Sequence, residues 1–245
     1  LYLQGKSVHG PFINQEIKIY HQLKKIEVAT KIFKNPVPFQ EIYVSFPFAI
    51  HDPRFHLASV NATMEPITDQ LPGTTTDYYS EHHGLSISNG ESTIVWNSIE
   101  APVLKISELW PGYVSQAHHG ITPDNYVHDF ASDFNKSSIF SYVSVNNFRT
   151  NFSPVYAGDM LFRHSFTSYS GNYDPGKSNN FGWSDSNPLL PVIVNGPQSG
   201  ELPTSYSFCS VTNSENIKVV SLKAAEDSEG LILRLAETSG KQVSA

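Results

Sequence analysis

The 245-residue chain has little charge, one cysteine and no long apolar run. The single cysteine, Cys209, excludes an intrachain disulfide. The fold must then be held by its core, and a lone thiol fits a reducing compartment such as the cytoplasm. Its setting, Ser207-Phe208-Cys209-Ser210, predicts a buried, inert thiol. Charged residues make up only 16% of the chain, against roughly 25% in ordinary soluble domains. The formal net charge is −7, and the densest basic run is Lys24, Lys25 and Lys31. Without clustered cations to release counterions from phosphates, nucleic acid is not an expected partner. No apolar stretch reaches the roughly 18 residues of a spanning helix, so no membrane segment is expected. No glycine-rich phosphate loop and no Gly-x-Ser-x-Gly elbow is present, which argues against nucleotide-binding and α/β-hydrolase chemistry. No secretory leader is visible, and both ends read as boundaries within a longer polypeptide.

Aromatic residues, by contrast, are plentiful: 15 Phe, 12 Tyr and 3 Trp. The polar complement is mostly Ser, Thr, Asn, Gln and His, which suits a surface that meets neutral, hydroxyl-rich ligands. The dominant hydrophobic period is two. Alternating or β-rich runs occur at 16–20, 26–33, 41–46, 56–62, 85–88, 92–96, 139–145, 161–168, 191–194, 217–223 and 230–236. Turn signals separate them, among them Asn35-Pro36, Asn89-Gly90, Pro111-Gly112 and Ser239-Gly240, with Asn89-Gly90 predicting a tight hairpin. No segment shows a three-turn amphipathic helix; 101–109 comes nearest. Residues 170–188 read as a long polar loop anchored by Tyr173, Phe181 and Trp183. The expectation is an all-β fold, a sandwich or barrel. A softer boundary near 198–216 divides it into 1–209 and 210–245, the second part being the start of a small β module.

Three groups of residues could carry chemistry. His82, His83, His118, His119 and His128 form the first, but their spacing, even with Asp124, matches no metal motif, and no metal ligand is assigned. Adjacent residues on a strand face opposite ways, so each His-His pair offers one imidazole to any one side. The second is Asn146-Asn147-Phe148-Arg149-Thr150-Asn151-Phe152, whose amides and guanidinium on an aromatic frame suit sugar hydroxyls, or equally an Asn-rich turn bonded to its own backbone. The third is the scattered carboxylates, of which no pair is marked as a glycosidase acid and base.

Four segments, in order, resemble the C-terminal region of glycoside hydrolase family 38 α-mannosidases. These are Val44-Ser45-Phe46-Pro47-Phe48; Asp69-Gln70-Leu71-Pro72-Gly73; Asn146 to Phe152 followed by Ala157-Gly158-Asp159; and Leu231 to Gly240. The resemblance implies a large antiparallel β supersandwich similar to mutarotase-like domains, with a small C-terminal β module. It also implies a retaining, zinc-dependent α-mannosidase whose aspartate nucleophile and zinc lie on an absent N-terminal barrel domain. On that reading this chain carries no catalytic residue and no metal ligand, packs against the barrel, and contributes to carbohydrate binding. Asn146, Asn147, Arg149 and Asn151, with His118 and His119, are the expected substrate-binding residues, positioning an α-mannoside-like glycan. The rival readings are a free-standing carbohydrate-binding sandwich and a β-sandwich lyase or epimerase with His119 and Tyr126 as acid and base.

Overall fold

A computed structural model of the chain describes residues 1–6, 11–38, 40–60, 62–72, 74, 76–109, 134–146, 153–197, 199–212 and 215–244. The all-β supersandwich expected from the sequence is what it shows: every strand pairing is antiparallel, and the strands form two packed layers. The larger sheet has eight strands. In spatial order these are β1 (Tyr2–Lys6), β2 (Phe12–Ile19), β3 (Ile26–Lys34), β12 (Gly158–Ser170), β9 (Ser92–Ser98), β8 (Leu85–Ser88), β5 (Arg54–Ser59) and β6 (Ala62–Met64). The smaller sheet runs β4 (Glu41–Pro47), β11 (Ser138–Val145), β10 (Val103–Ile106) and β7 (Tyr79–Ser80). Strands β13 (Ile217–Ala224) and β14 (Leu231–Glu237) pair only with each other.

Period-two patterning builds the core directly. Val28 and Ile32 of β3, Leu85 and Ile87 of β8, Trp96 of β9 and Phe162 of β12 face Val44 and Phe46 of β4, Leu104 and Ile106 of β10 and Ile139 of β11. A polar contact among the described residues bridges the layers. His164 of β12 is 1% exposed, lies 5.0 Å from the Phe46 ring, and its Nε2 is 2.9 Å from Ser141 Oγ of β11. The Asn89-Gly90 turn joins β8 to β9 as expected, with Gly90 at φ 91°.

Several local expectations are corrected. Residues 170–188 hold not a loop but the helix α1 (Pro175–Ser186). Asp174 caps it by accepting from the Lys177 N–H, and Pro175 sits in its first turn, where a missing N–H costs nothing. The interior of α1 is Gly, Asn and Ser, poor helix formers, so its stability comes from packing. It lies on the outer face of the large sheet, over β9. There Asp185 is buried and accepts from Asn97 Nδ2 and Ser165 Oγ while pairing with Lys25. The helix can approach because Gly182 has no side chain: a Cβ there would overlap the His83 carbonyl. Residues 103–106, in the region nearest to a helical pattern, are a strand. Residues 191–194, read as a strand, have no regular structure, and Leu189, Leu190, Val192 and Ile193 are exposed. Prolines at 188 and 191 remove the N–H groups that a ladder would need. Cys209 is exposed rather than buried, because its segment lies outside both sheets.

Replacing Gly182 by Ala sets a side chain against backbone that cannot move cheaply. We expect Gly182→Ala to lower stability by about 3 kcal/mol despite alanine's better helix propensity. Urea unfolding followed by circular dichroism measures this; wild-type stability in the variant would show that the helix is not held this closely.

Candidate functional site

A groove of about 560 Å³ opens where three elements meet: the β5–β6 hairpin, the start and middle of α1, and the C-terminal hairpin β13–β14. Two ring pairs line it, one stacked and one tilted. His56 of β5 lies parallel to Tyr173, with centroids 3.8 Å apart and planes 8° apart. His83 packs at 4.3 Å against Trp183 of α1. Trp183 is therefore fixed by the same close helix approach that Gly182 permits.

The polar groups of the groove come from all three elements. Glu65 Oε1 is 3.3 Å from His56 Nε2, and Asp69 Oδ2 accepts from the Glu65 N–H at 2.7 Å. The turn between them includes Ile67 at φ 73°, an unfavourable conformation for a β-branched residue. Asn179 enters from α1, and Thr238 from the end of β14. Lys218 of β13 donates to Asn180 Oδ1, and burial pulls its pKa down. Glu237 at the end of β14 is taken up by the backbone N–H groups of Ser239, Gly240 and Lys241.

Burial holds the pKa of His56 below its ordinary value, against the opposing pull of Glu65. Burial, then the neighbouring His82, does the same for His83. Both rings are thus largely neutral near pH 7. The Nδ1 atoms of both are buried and have no hydrogen-bond partner among the described residues. Of the His82-His83 pair, which lies in the bend between β7 and β8 and not on a strand, His82 is exposed and His83 enters the groove.

Glu81 fixes the turn that presents His83. Its carboxylate accepts from the Gly84 N–H at 2.6 Å and the Ser98 N–H at 3.1 Å. Gly84 turns at φ 104°, and a Cβ there would press on the Trp96 carbonyl. Burial pushes the Glu81 pKa up to about 7.

Of the residues expected from sequence to bind substrate, only Asn146 is among the described residues. Asn146 is 1% exposed, and its amide is committed to backbone: it accepts from the Gln40 N–H and donates to the Val37 and Pro154 carbonyls. Asn147, Arg149, Asn151, His118 and His119 lie outside the described residues, as do Tyr126 and His128. Among the described residues no group of three or more His, Cys, Asp or Glu is arranged to hold a metal ion, and no helix is long and apolar enough to cross a membrane. His56, Glu65 and Asp69 gave no sequence signal as a group. Tyr173 and Trp183 did, as aromatic anchors of a polar stretch.

The fold and groove define a two-layer antiparallel β-sandwich with a ligand-sized recess on the outer side of its larger sheet. No protein-family model matches the chain, and no curated protein matches it. Among solved structures it is similar to a protein assigned as an aldose 1-epimerase from Escherichia coli K12. The identity is 11% and the TM-score 0.36, covering 69% of this chain and 64% of that one. It is also similar to galactose 1-epimerase from Lactobacillus acidophilus NCFM, at 7% identity and a TM-score of 0.39, covering 70% of this chain and 62% of that one. The chain thus spans less than two-thirds of either protein. The resemblance to family 38 α-mannosidases drawn from short segments is corrected by these findings: no family model supports it, and the similar solved structures are named as epimerases. One of its segments, around Asn146, has a structural explanation in the buried amide that ties β11 to the chain before β4.

The titration of two buried groups gives a stability test. Between pH 4.5 and about 7 folded Glu81 keeps a proton that the unfolded chain releases, so its contribution falls as pH rises. Burial lowers His164 to about 4, so between pH 4 and 6.5 the unfolded chain takes up a proton that the folded chain refuses, and stability rises with pH. The two slopes oppose each other. Relative to wild type, Glu81→Gln should gain about 3 kcal/mol as pH rises from about 4.5 to 7. Denaturant midpoints across that range test this, and parallel profiles would refute the assignment.

Proposed function

We propose that this chain is a carbohydrate-binding β-sandwich and that a neutral saccharide occupies the groove. The observation that carries the reading is the pair of aromatic contacts lining the groove, the stacked His56–Tyr173 rings and the tilted His83–Trp183 pair. Apolar ring faces suit the C–H faces of a sugar. Glu65, Asp69, Asn179 and Thr238 add directional acceptors and donors around that platform. The volume falls within the roughly 300–1,000 Å³ usual for small-molecule sites.

A second reading has a specific observation in its favour. His56 lies 3.3 Å from Glu65, a juxtaposition of imidazole and carboxyl of the kind that opening and closing a sugar ring at its anomeric carbon requires. The Glu65 carboxylate takes the anomeric hydroxyl proton while the imidazolium form of His56 gives one to the ring oxygen, so that the bond between the anomeric carbon and the ring oxygen breaks as the carbonyl forms. The reverse transfer after rotation yields the other anomer.

Titration with a panel of mono- and disaccharides, followed by tryptophan fluorescence and calorimetry, tests the first reading. A saturable response is expected, with Trp183→Ala and Tyr173→Ala each weakening affinity about tenfold or more. No saturation by any sugar at millimolar concentration sinks it. Polarimetry of freshly dissolved aldoses separates the two readings: epimerisation lost in Glu65→Gln while binding persists favours the second.

A further inference from the structure

One wall of the groove belongs to a part of the chain that cannot hold itself in place. Strands β13 and β14 form a two-stranded sheet, and such hairpins are marginal alone in water. The hairpin buries little: Val219, Leu222, Leu231, Leu233 and Leu235 are all exposed. Residues 187–212, which lead toward it, contain no helix or strand and make few hydrogen bonds among the described residues.

Among the described residues, a small set of polar contacts ties the hairpin to α1, beside the partly buried Ile217, Val220 and Ala236. Lys218 Nζ donates to Asn180 Oδ1, and Asn180 Nδ2 donates to the Glu215 carbonyl at 3.3 Å. Asn216 lies flat on Gly176, where a Cβ would overlap its side-chain oxygen. Asn216 in turn accepts, through its carbonyl, from the N–H of Thr238 at 2.9 Å and the hydroxyl of Thr238 at 3.0 Å. One residue therefore ties the start of β13 to the end of β14 and sits on the helix.

We propose that the C-terminal hairpin is a hinged wall of the saccharide groove, latched to α1 through Asn180, Lys218 and Asn216 on Gly176, and that ligand binding and hairpin docking are one coupled equilibrium. The proposal rests on the groove as the ligand site. A ligand touching both walls binds only the docked state, so it shifts the population toward docking, and weakening the latch reduces apparent affinity by the same factor. Asn180 and Asn216 are positioning residues on this account. They set affinity by holding Thr238 and the end of β14 opposite His56 and Trp183.

The test is hydrogen exchange of the 245-residue chain, read by mass spectrometry, with Gly176→Ala, Asn180→Ala and Lys223→Ala as variants. Alanine at 176 is a better helix former than glycine, so undocking in that variant cannot be ascribed to loss of α1. Lys223, which pairs with Glu226 at the far end of the hairpin, is the control. Without sugar, Gly176→Ala and Asn180→Ala should speed exchange of β13–β14 amides at least tenfold while β9 and β12 keep wild-type protection and Lys223→Ala changes nothing. Unchanged hairpin exchange in both latch variants, or equal loss of protection in β9 and β12, overturns the latch. With 50 mM D-galactose or D-mannose, whichever shifts the tryptophan signal, hairpin exchange should slow in wild type; binding that leaves it unchanged overturns the coupling. If neither sugar shifts the signal, the binding reading has failed, and the sugar-free comparison still decides the latch.

Discussion

Much of the architecture depends on the approach of one short helix to the backbone of a strand-end turn. Helix α1 covers the outer face of the large sheet with a contact so close that Gly182 meets the His83 carbonyl. That proximity sets Trp183 against His83 and brings Asp185 down to Asn97, Ser165 and Lys25. A buried carboxylate is tolerated there because hydrogen bonds and a cation compensate its lost hydration. The same helix offers Gly176 and Asn180 to the C-terminal hairpin. The His83–Trp183 side of the groove and its C-terminal wall are therefore referenced to a single element.

The two layers of the sandwich use polarity differently. Between the sheets, polar groups are few, and His164 illustrates the rule: held neutral by burial, it satisfies Ser141 across the layers and packs its ring on Trp96 and Phe46. On the outer face, the network around Asp185 and the groove around His56 and Glu65 gather the groups able to act on a ligand. A sandwich of this kind keeps chemistry off its core.

Much of the fold was legible in the sequence because β patterning is local: alternation places Val28 and Ile32, or Leu85 and Ile87, on one face without knowledge of the partner strand. Helix α1 was not legible, since Gly176, Asn179, Asn180 and Gly182 oppose helix formation and only the sheet beneath makes it worthwhile. The Asp174-Pro175 start signal was there, in a stretch whose composition reads as loop. Residues 191–194 show the converse, β-branched residues in a run that prolines keep out of a ladder. The groove escaped notice because His56, Glu65, Tyr173 and Thr238 are far apart in the chain and meet only through tertiary packing. Asn146 attracted attention for its neighbours and proved to be a brace for backbone.

The strand order has a kinetic side. Strand β3 lies beside β12, so residue 34 pairs with residue 158, and β12 lies in turn beside β9. The β1–β2–β3 meander and the β5–β6–β8–β9 group are each assembled from near neighbours, yet they become one sheet only when β12 slides in between. Until that late strand arrives, two half-sheets stand with open edges, and the loop to be closed is long. Such a topology folds slowly. During synthesis residues 1–157 emerge before the strand that joins them, so the two unzipped half-sheets stay exposed to association for as long as β12 takes to arrive.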